Sequence, residues 1–238
     1  MIFSKFNKQL IFVIGSGRSG THLLGRTFGN NEEIEAFIEA DQFFLPITEL
    51  AVGLNKNVSD FDTLLAAYKK EFRRSKKEYI LEKTHPNIWF VERIRDYFPT
   101  AKFIGIKRDV FGTVNSMLNH EGVLSWYKKL PLDESNRFLG ITDDNKSEFR
   151  NLPIESKCAL RWKSHVDRLD YLANAFPEEV LVVDYEQFYD DYSNLMLTLK
   201  EFLGATFNIE SEPLNNAGKD KWKDLLTPIQ IENIKKAL

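Results

Sequence analysis

The sequence predicts an α/β fold in which a mainly parallel sheet lies between two layers of helices. Short apolar runs, such as residues 10–14 and 103–106, have the length and composition of buried parallel strands. Longer segments with apolar residues at helical spacing, such as residues 61–72 and 159–176, separate these runs and predict helices. A chain of 238 residues can bury one sizeable core, so we expect a single domain over residues 1–238.

The first predicted strand runs into a glycine-rich turn that occupies residues 15–22 and reads GSGRSGTH. Glycines let the backbone approach a ligand closely, and a helix that begins here directs free N–H groups toward an anion. The turn therefore predicts a phosphate site and a P-loop-NTPase-like fold. It departs from the nucleotide P-loop because Thr21 occupies the lysine position, which leaves Arg18 as the cation. The candidate anion-binding residues of the turn are Gly15, Gly17, Arg18, Ser19, Gly20, Thr21 and His22.

Residues 34–38 predict a second short extended segment, and a third apolar strand ends at Glu82, Lys83 and His85. A transfer to a hydroxyl group requires a cation for the negative leaving group and a general base. Lys83 is the candidate cation, and either Glu82 or His85 is the candidate base. The alternative for Glu82 and Lys83 is an ion pair on a loop.

The apolar run at residues 103–106 is followed by Arg108 and by a helix that Asp109 can cap. In open α/β sheets ligands bind outside the carboxyl ends of the strands, where Arg108 is expected. Ser116 lies two helical turns further on, so Arg108 and Ser116 could face one anion. The alternative, for either residue alone, is that Arg108 is a surface arginine and Ser116 an ordinary helical serine.

The segment at residues 119–157 lies after this helix, and we interpret it as a lid or insert beside the acceptor. Its polar part, residues 133–157, lacks periodicity and predicts a loop. His120 is a second candidate base, because it lies where a channel for the acceptor would open. For Arg161, on the following helix, we expect a surface ion pair rather than contact with a ligand.

Composition restricts the classes of function. The net charge of −3 argues against nucleic acid as a partner. No apolar run is long enough to span a bilayer, and we expect a cytoplasmic protein. The single Cys158 excludes an intramolecular disulfide, and the four histidines have no spacing typical of a metal site, so we expect no metal.

Together, the three motifs resemble the sulfotransferases that use 3′-phosphoadenosine 5′-phosphosulfate (PAPS), most closely their bacterial and Golgi-type branch. The resemblance covers residues 10–226. It implies that the loop from Arg18 to Thr21 binds the 5′-phosphosulfate and that Arg108 and Ser116 bind the 3′-phosphate. Glu82 matches the base of the Golgi-type branch and His85 the base of the cytosolic branch, so both remain candidates.

The C-terminal part is similar to the same family. Tyr185 follows a predicted strand as in the family, although Asp184 stands where the family has arginine. Gly218 and Lys219 resemble the basic glycine-containing loop that closes over the 3′-phosphate. The resemblance implies that Tyr185, Gly218 and Lys219 contribute to binding of the donor.

The resemblance implies in-line transfer of a sulfuryl group from PAPS to a hydroxyl or amine, with 3′-phosphoadenosine 5′-phosphate (PAP) as the product. The acceptor would be a small molecule, a lipid or a carbohydrate, and the enzyme a metal-independent monomer or homodimer. Two alternatives remain. A P-loop kinase-like phosphotransferase would bind ATP with magnesium, and a non-catalytic module would bind PAPS or another nucleotide without turnover.

Overall fold

The computed structural model describes residues 8–54, 57–207 and 220–238. Within them a five-stranded sheet has the order β2-β3-β1-β4-β5, and every neighbouring pair of strands is parallel. The predicted parallel sheet is thus confirmed. The strands are β1 (Gln9–Gly15), β2 (Ile34–Ile38), β3 (Tyr79–Lys83), β4 (Lys102–Lys107) and β5 (Val180–Asp184).

Helices connect the strands and cover both faces of the sheet, as the parallel crossovers require. A 3-10 helix (His85–Phe90) follows β3 directly. None of the helices in the described ranges is long and apolar enough to cross a membrane. The helices are α1 (Thr21–Gly29), α2 (Asp41–Ala51), α3 (Val58–Arg74), α4 (Val91–Tyr97), α5 (Val110–Leu118), α6 (Glu121–Lys129), α7 (Lys146–Phe149), α8 (Ile154–Ala175), α9 (Gln187–Asp190), α10 (Tyr192–Leu203), α11 (Trp222–Leu225) and α12 (Pro228–Ala237).

The two faces of the sheet bury separate apolar cores, because successive side chains along a strand point to opposite faces. On β1, Phe12 and Ile14 pack into a core with α3 and α8, whereas Ile11 and Val13 pack against α1 and α10. Two helical layers therefore enclose the sheet, and the predicted three-layer α/β/α fold is confirmed.

The segment at residues 119–157 is more ordered than a loop. It contains α6 and α7, and α8 begins within it at Ile154. The prediction of a loop over residues 133–157 is therefore wrong for the stretches in α7 and α8. Single buried side chains such as Phe138 and Phe149 anchor the segment to the core, and these leave no helical period in the sequence.

The central position of β1, between β3 and β4, determines where a ligand can bind. The carboxyl ends of these three strands lie side by side, at Gly15, Lys83 and Lys107. In open α/β sheets this edge forms the ligand crevice.

Candidate active site

The loop that joins β1 to α1 has a tightly constrained backbone. Arg18 and Gly20 have positive φ values of 78° and 104°. A Cβ on Gly20 would lie 2.4 Å from the Tyr185 ring, so only glycine allows that ring to pack against the loop. The buried Ser19 hydroxyl donates to the Ser16 carbonyl oxygen at 2.7 Å and fixes the turn from within.

A cavity of about 330 Å³, here called the loop cavity, opens in front of this turn. This cavity brings together the turn and the predicted pair of Arg108 and Ser116. The two parts are joined by a hydrogen bond that the Arg18 Nε of the turn donates to the Ser116 Oγ at 3.1 Å. The Arg108 guanidinium lies 4.3 Å from the centre of the Tyr185 ring. The predicted residues that line this cavity are Arg18, Gly20, Thr21, His22, Arg108, Ser116 and Tyr185.

Arg108 combines a fixed backbone with a buried side-chain donor that is free to bind a ligand. The Trp162 indole donates to its backbone carbonyl oxygen at 2.9 Å, which fixes the chain at this point. The Arg108 Nε is buried, has no hydrogen-bond partner in the part of the chain that the structure describes, and lies 3.7 Å from the Asp109 carboxylate. A phosphate oxygen could satisfy this donor.

The other predicted residues of the donor site have different positions. Gly15 ends β1, and a Cβ there would lie 2.7 Å from a carbonyl oxygen of β4, so the turn packs tightly on that strand. Gly17 and Ser19 are buried in the turn. Gly218 and Lys219 lie outside the described residues.

Glu39, which the sequence analysis did not identify, is the centre of a charged cluster beside the loop. It accepts a hydrogen bond from the fully buried Lys83 ammonium, and its carboxylate lies 3.1 Å from the His22 Nε2. Burial acts to raise the Glu39 pKa, but hydrogen bonds from His22 and His85 and the Lys83 charge hold that pKa well below its usual range. Its position just after β2 was the available signal, because that end of the sheet forms the crevice.

The two candidate bases, Glu82 and His85, occupy different environments. Glu82 lies on β3 with 1% of its surface exposed, and it does not line the loop cavity or the second cavity described below. It accepts hydrogen bonds from the Thr84 N–H at 3.1 Å, from the Thr84 hydroxyl and from the Asn87 amide at 2.5 Å. Burial raises the pKa of Glu82 to about 7. The carboxyl group is thus enclosed by donors of its own segment.

His85 faces the turn. Its Nδ1 lies 3.5 Å from the Glu39 carboxylate, and its Nε2 is buried without a hydrogen-bond partner in residues 8–54, 57–207 and 220–238. The ring packs closely against Gly17 of the turn, because a Cβ on that glycine would lie only 3.2 Å from the His85 Nε2. Burial lowers the pKa of His85 to about 4, so the imidazole is neutral at physiological pH and can accept a proton.

A second cavity, of about 400 Å³, lies next to the loop cavity and is here called the aromatic cavity. It shares Arg18, Thr21 and His22 with the loop cavity, so a ligand in each could meet at this boundary. His120 lines it, and the His120 Nδ1 accepts a hydrogen bond from the Val123 N–H at the start of α6. The aromatic side chains that line the cavity are Phe44, Trp126 and Phe138.

Arg161 also lines the aromatic cavity, and the expectation of a surface ion pair is wrong. Only 1% of its surface is exposed, and no carboxylate pairs with it in the described ranges. A signal was present in the sequence, since Arg161 and His165 fall in one helical stripe with Cys158 and Leu169, all of which are buried.

A parallel sheet with a glycine-rich turn after its central strand defines a P-loop-like α/β protein. Within this class, the chain belongs to the sulfotransferase family. The profile described as "Sulfotransferase family" matches residues 10–208, which is most of the chain. Sulfuryl transfer is therefore its class of activity, and PAPS is the donor typical of the family.

Solved structures of three sulfotransferases share the fold. The enzyme from Alicyclobacillus acidocaldarius has 16% identity and a TM-score of 0.56, with 96% of this chain and 90% of that one covered. The domain from the Synechococcus PCC 7002 olefin synthase has 14% identity and a TM-score of 0.58, with coverage of 97% and 94%. Mouse SULT7A1, complexed with PAP, has 17% identity and a TM-score of 0.56, with coverage of 97% and 82%. No curated protein sequence matches the chain significantly.

Proposed function

We propose that the loop cavity binds PAPS, with the 5′-phosphosulfate on the turn and the 3′-phosphate on Arg108 and Ser116. The hydrogen bond from Arg18 to Ser116 carries this proposal, because it places both anion sites in one cavity. The unpartnered Arg108 Nε fits a phosphate oxygen. Mouse SULT7A1, which shares the fold, is complexed with PAP, and this supports the same ligand here.

PAPS supplies the sulfuryl group and leaves as PAP. Arg18, at the boundary of the two cavities, and the adjacent Lys83 are the cations that would neutralise charge on the leaving side. Lys83 pairs with Glu39, and burial lowers the pKa of Lys83 while the Glu39 carboxylate opposes that shift. The pairing gives the fully buried Lys83 side chain a carboxylate partner beside the turn.

We assign the general base to His85 rather than to Glu82. The His85 Nε2 lacks a partner and points to the turn, so it can accept the proton of the acceptor hydroxyl as that oxygen attacks the sulfuryl group. Glu39, beside Nδ1, would stabilise the imidazolium that forms. Glu82 is enclosed by Thr84 and Asn87 and has no access to either cavity.

The acceptor would bind in the aromatic cavity and present a hydroxyl or amine at the shared boundary. It would be a small molecule, a lipid or a carbohydrate, and residues 119–157 would cover it, because Val123, Trp126 and Phe138 line that cavity. We also propose one domain over residues 1–238 that acts in the cytoplasm as a monomer or homodimer, without nucleic acid.

Transfer from radiolabelled PAPS to a panel of phenols, alcohols and amines tests this function. The wild-type protein is expected to place the label in an organic sulfate, and the Lys83→Met variant is expected to lose that product. Tight binding of PAP without transfer to any acceptor would favour the non-catalytic module. Transfer of phosphate from ATP instead would favour the kinase-like alternative.

A further inference from the structure

Arg161 is a buried cation that the proposed reaction does not use. Its Nε and Nη1 atoms are buried and have no hydrogen-bond partner among the described residues. The groups beside it include the Tyr127 hydroxyl, the Cys158 thiol and the Phe138 ring, whose centre lies 4.4 Å from the guanidinium carbon. A buried charge that lacks a counter-ion is costly, so such a group is retained where a ligand pairs with it.

The position of Arg161 points to the acceptor rather than to the nucleotide. It lines the aromatic cavity and is not among the residues of the loop cavity, where the phosphate sites lie. Its Nη2 is 3.5 Å from the point at which a Cβ on Gly17 would stand, and the His85 Nε2 is 3.2 Å from the same point. The guanidinium therefore lies close to the proposed base, within reach of a small acceptor.

The charges around the aromatic cavity favour an anion. Among the described residues that line it, Glu39 is the acidic one, and that carboxylate is already engaged by Lys83, His22 and His85. The buried Arg161 and the exposed Arg18 and Lys129 give the remaining space a positive surplus. A wholly neutral acceptor would leave this surplus uncompensated.

We propose that Arg161 binds an oxyanion of the acceptor, so that the enzyme acts on acceptors that carry a carboxylate or phosphate near the hydroxyl or amine. The planar guanidinium suits such groups because it can donate two parallel hydrogen bonds to them. Phe44, Trp126 and Phe138 would contact the carbon frame of the acceptor. This inference rests on the proposed function and specifies its acceptor.

Calorimetric titration of the PAP-saturated protein tests the inference with matched probes. The probes are para-hydroxyphenylacetate and para-hydroxyphenyl phosphate, each compared with the neutral para-hydroxyphenylacetamide. The wild type is expected to bind at least one anion about ten- to a hundredfold more tightly than the amide. Arg161→Gln is expected to remove that preference, whereas Lys129→Gln, at an exposed cation of the same cavity, is expected to retain most of it.

Equal binding of anions and amide by the wild type, including no binding of either, would overturn the inference. A preference that survives Arg161→Gln would also overturn it. PAP affinity, measured for each variant, separates the two proposals. If PAP does not bind the wild type, the proposed function fails; if Arg161→Gln weakens PAP itself, Arg161 belongs to the donor site.

Thermal unfolding of Arg161→Met gives a second readout that does not depend on the probes. Removal of a buried charge without a counter-ion is expected to leave the unliganded protein as stable as the wild type, or more stable. The same variant is expected to lose the preference for anions. A large drop in melting temperature would show that Arg161 supports the fold and would overturn the premise that its charge is uncompensated in the unliganded protein.

Discussion

The loop cavity and the aromatic cavity meet at Arg18, yet they are built differently. The loop cavity consists of a backbone turn and of side chains from two short segments, and its Arg18 is exposed to solvent. The aromatic cavity gathers side chains from more elements, and two of its charged groups, Lys83 and Arg161, are buried. Each proposed anion site of the donor thus lies within one short segment, the turn or residues 108–116, whereas the aromatic cavity depends on tertiary packing throughout.

Among the residues of the aromatic cavity, replacement of the proposed base His85 is expected to lower kcat the most. His85→Asn should lower kcat by about 10²–10⁴-fold, the usual contribution of a general base, and leave PAP affinity unchanged. His120→Asn is the matched control, because asparagine can still cap α6. A rate equal to the wild type in His85→Asn would assign the base elsewhere.

Lys83 lines the aromatic cavity, which also contains Arg18 of the turn, so its replacement should affect catalysis more than ground-state binding. Lys83→Met is expected to lower kcat by about 10²–10³-fold, because a cation that faces developing charge is lost. Lys107→Met is the control, since Lys107 ends strand β4 at the same edge of the sheet and forms exposed ion pairs with Asp170 and Asp184. Similar losses in both variants would argue against a specific role of Lys83.

The pH dependence of kcat/KM distinguishes the two candidate bases. Because burial lowers the pKa of His85 to about 4, this base is unprotonated above that value, and activity is lost only as the pH falls through it. Burial raises the pKa of Glu82 to about 7, so a reaction with Glu82 as base would lose activity as the pH falls through 7. We expect a flat profile from about pH 8 to about pH 5. A tenfold loss per unit below pH 7 would favour Glu82.

Glu82→Gln is expected to lower stability and to leave kcat almost unchanged. It is therefore the variant with the smallest expected effect on turnover. One of the hydrogen bonds from Thr84 and Asn87 loses its acceptor, at a cost of about 1–3 kcal/mol in unfolding free energy. With its pKa raised in the fold, Glu82 contributes stability below its ordinary pKa of 4.5, and this contribution is lost as the pH rises through about 7. Urea unfolding at two pH values measures both effects, and a large loss of kcat at full stability would contradict this role.

The sequence predicted the parts of the molecule that depend on local chain geometry. The parallel sheet, the turn after β1 and the spacing of Arg108 and Ser116 all come from neighbouring residues. For Glu39 and Arg161 the sequence carried a signal of position only, after β2 and in the buried stripe of α8. The groups around them lie on other elements, and only the packed fold brings these together. Helix α2 was not predicted either, since Pro46 lies inside it and proline usually ends a helix.

The central claim is that the loop cavity recognises a nucleotide with a 3′-phosphate. Calorimetric titration of PAP and of ADP into the wild type and the Arg108→Ala variant tests it most directly. The wild type is expected to bind PAP in preference to ADP, and Arg108→Ala should weaken PAP by about ten- to a hundredfold and leave ADP unchanged, because charge-assisted hydrogen bonds to the 3′-phosphate are lost. Equal or tighter binding of ADP by the wild type would contradict the assignment of PAPS as the donor.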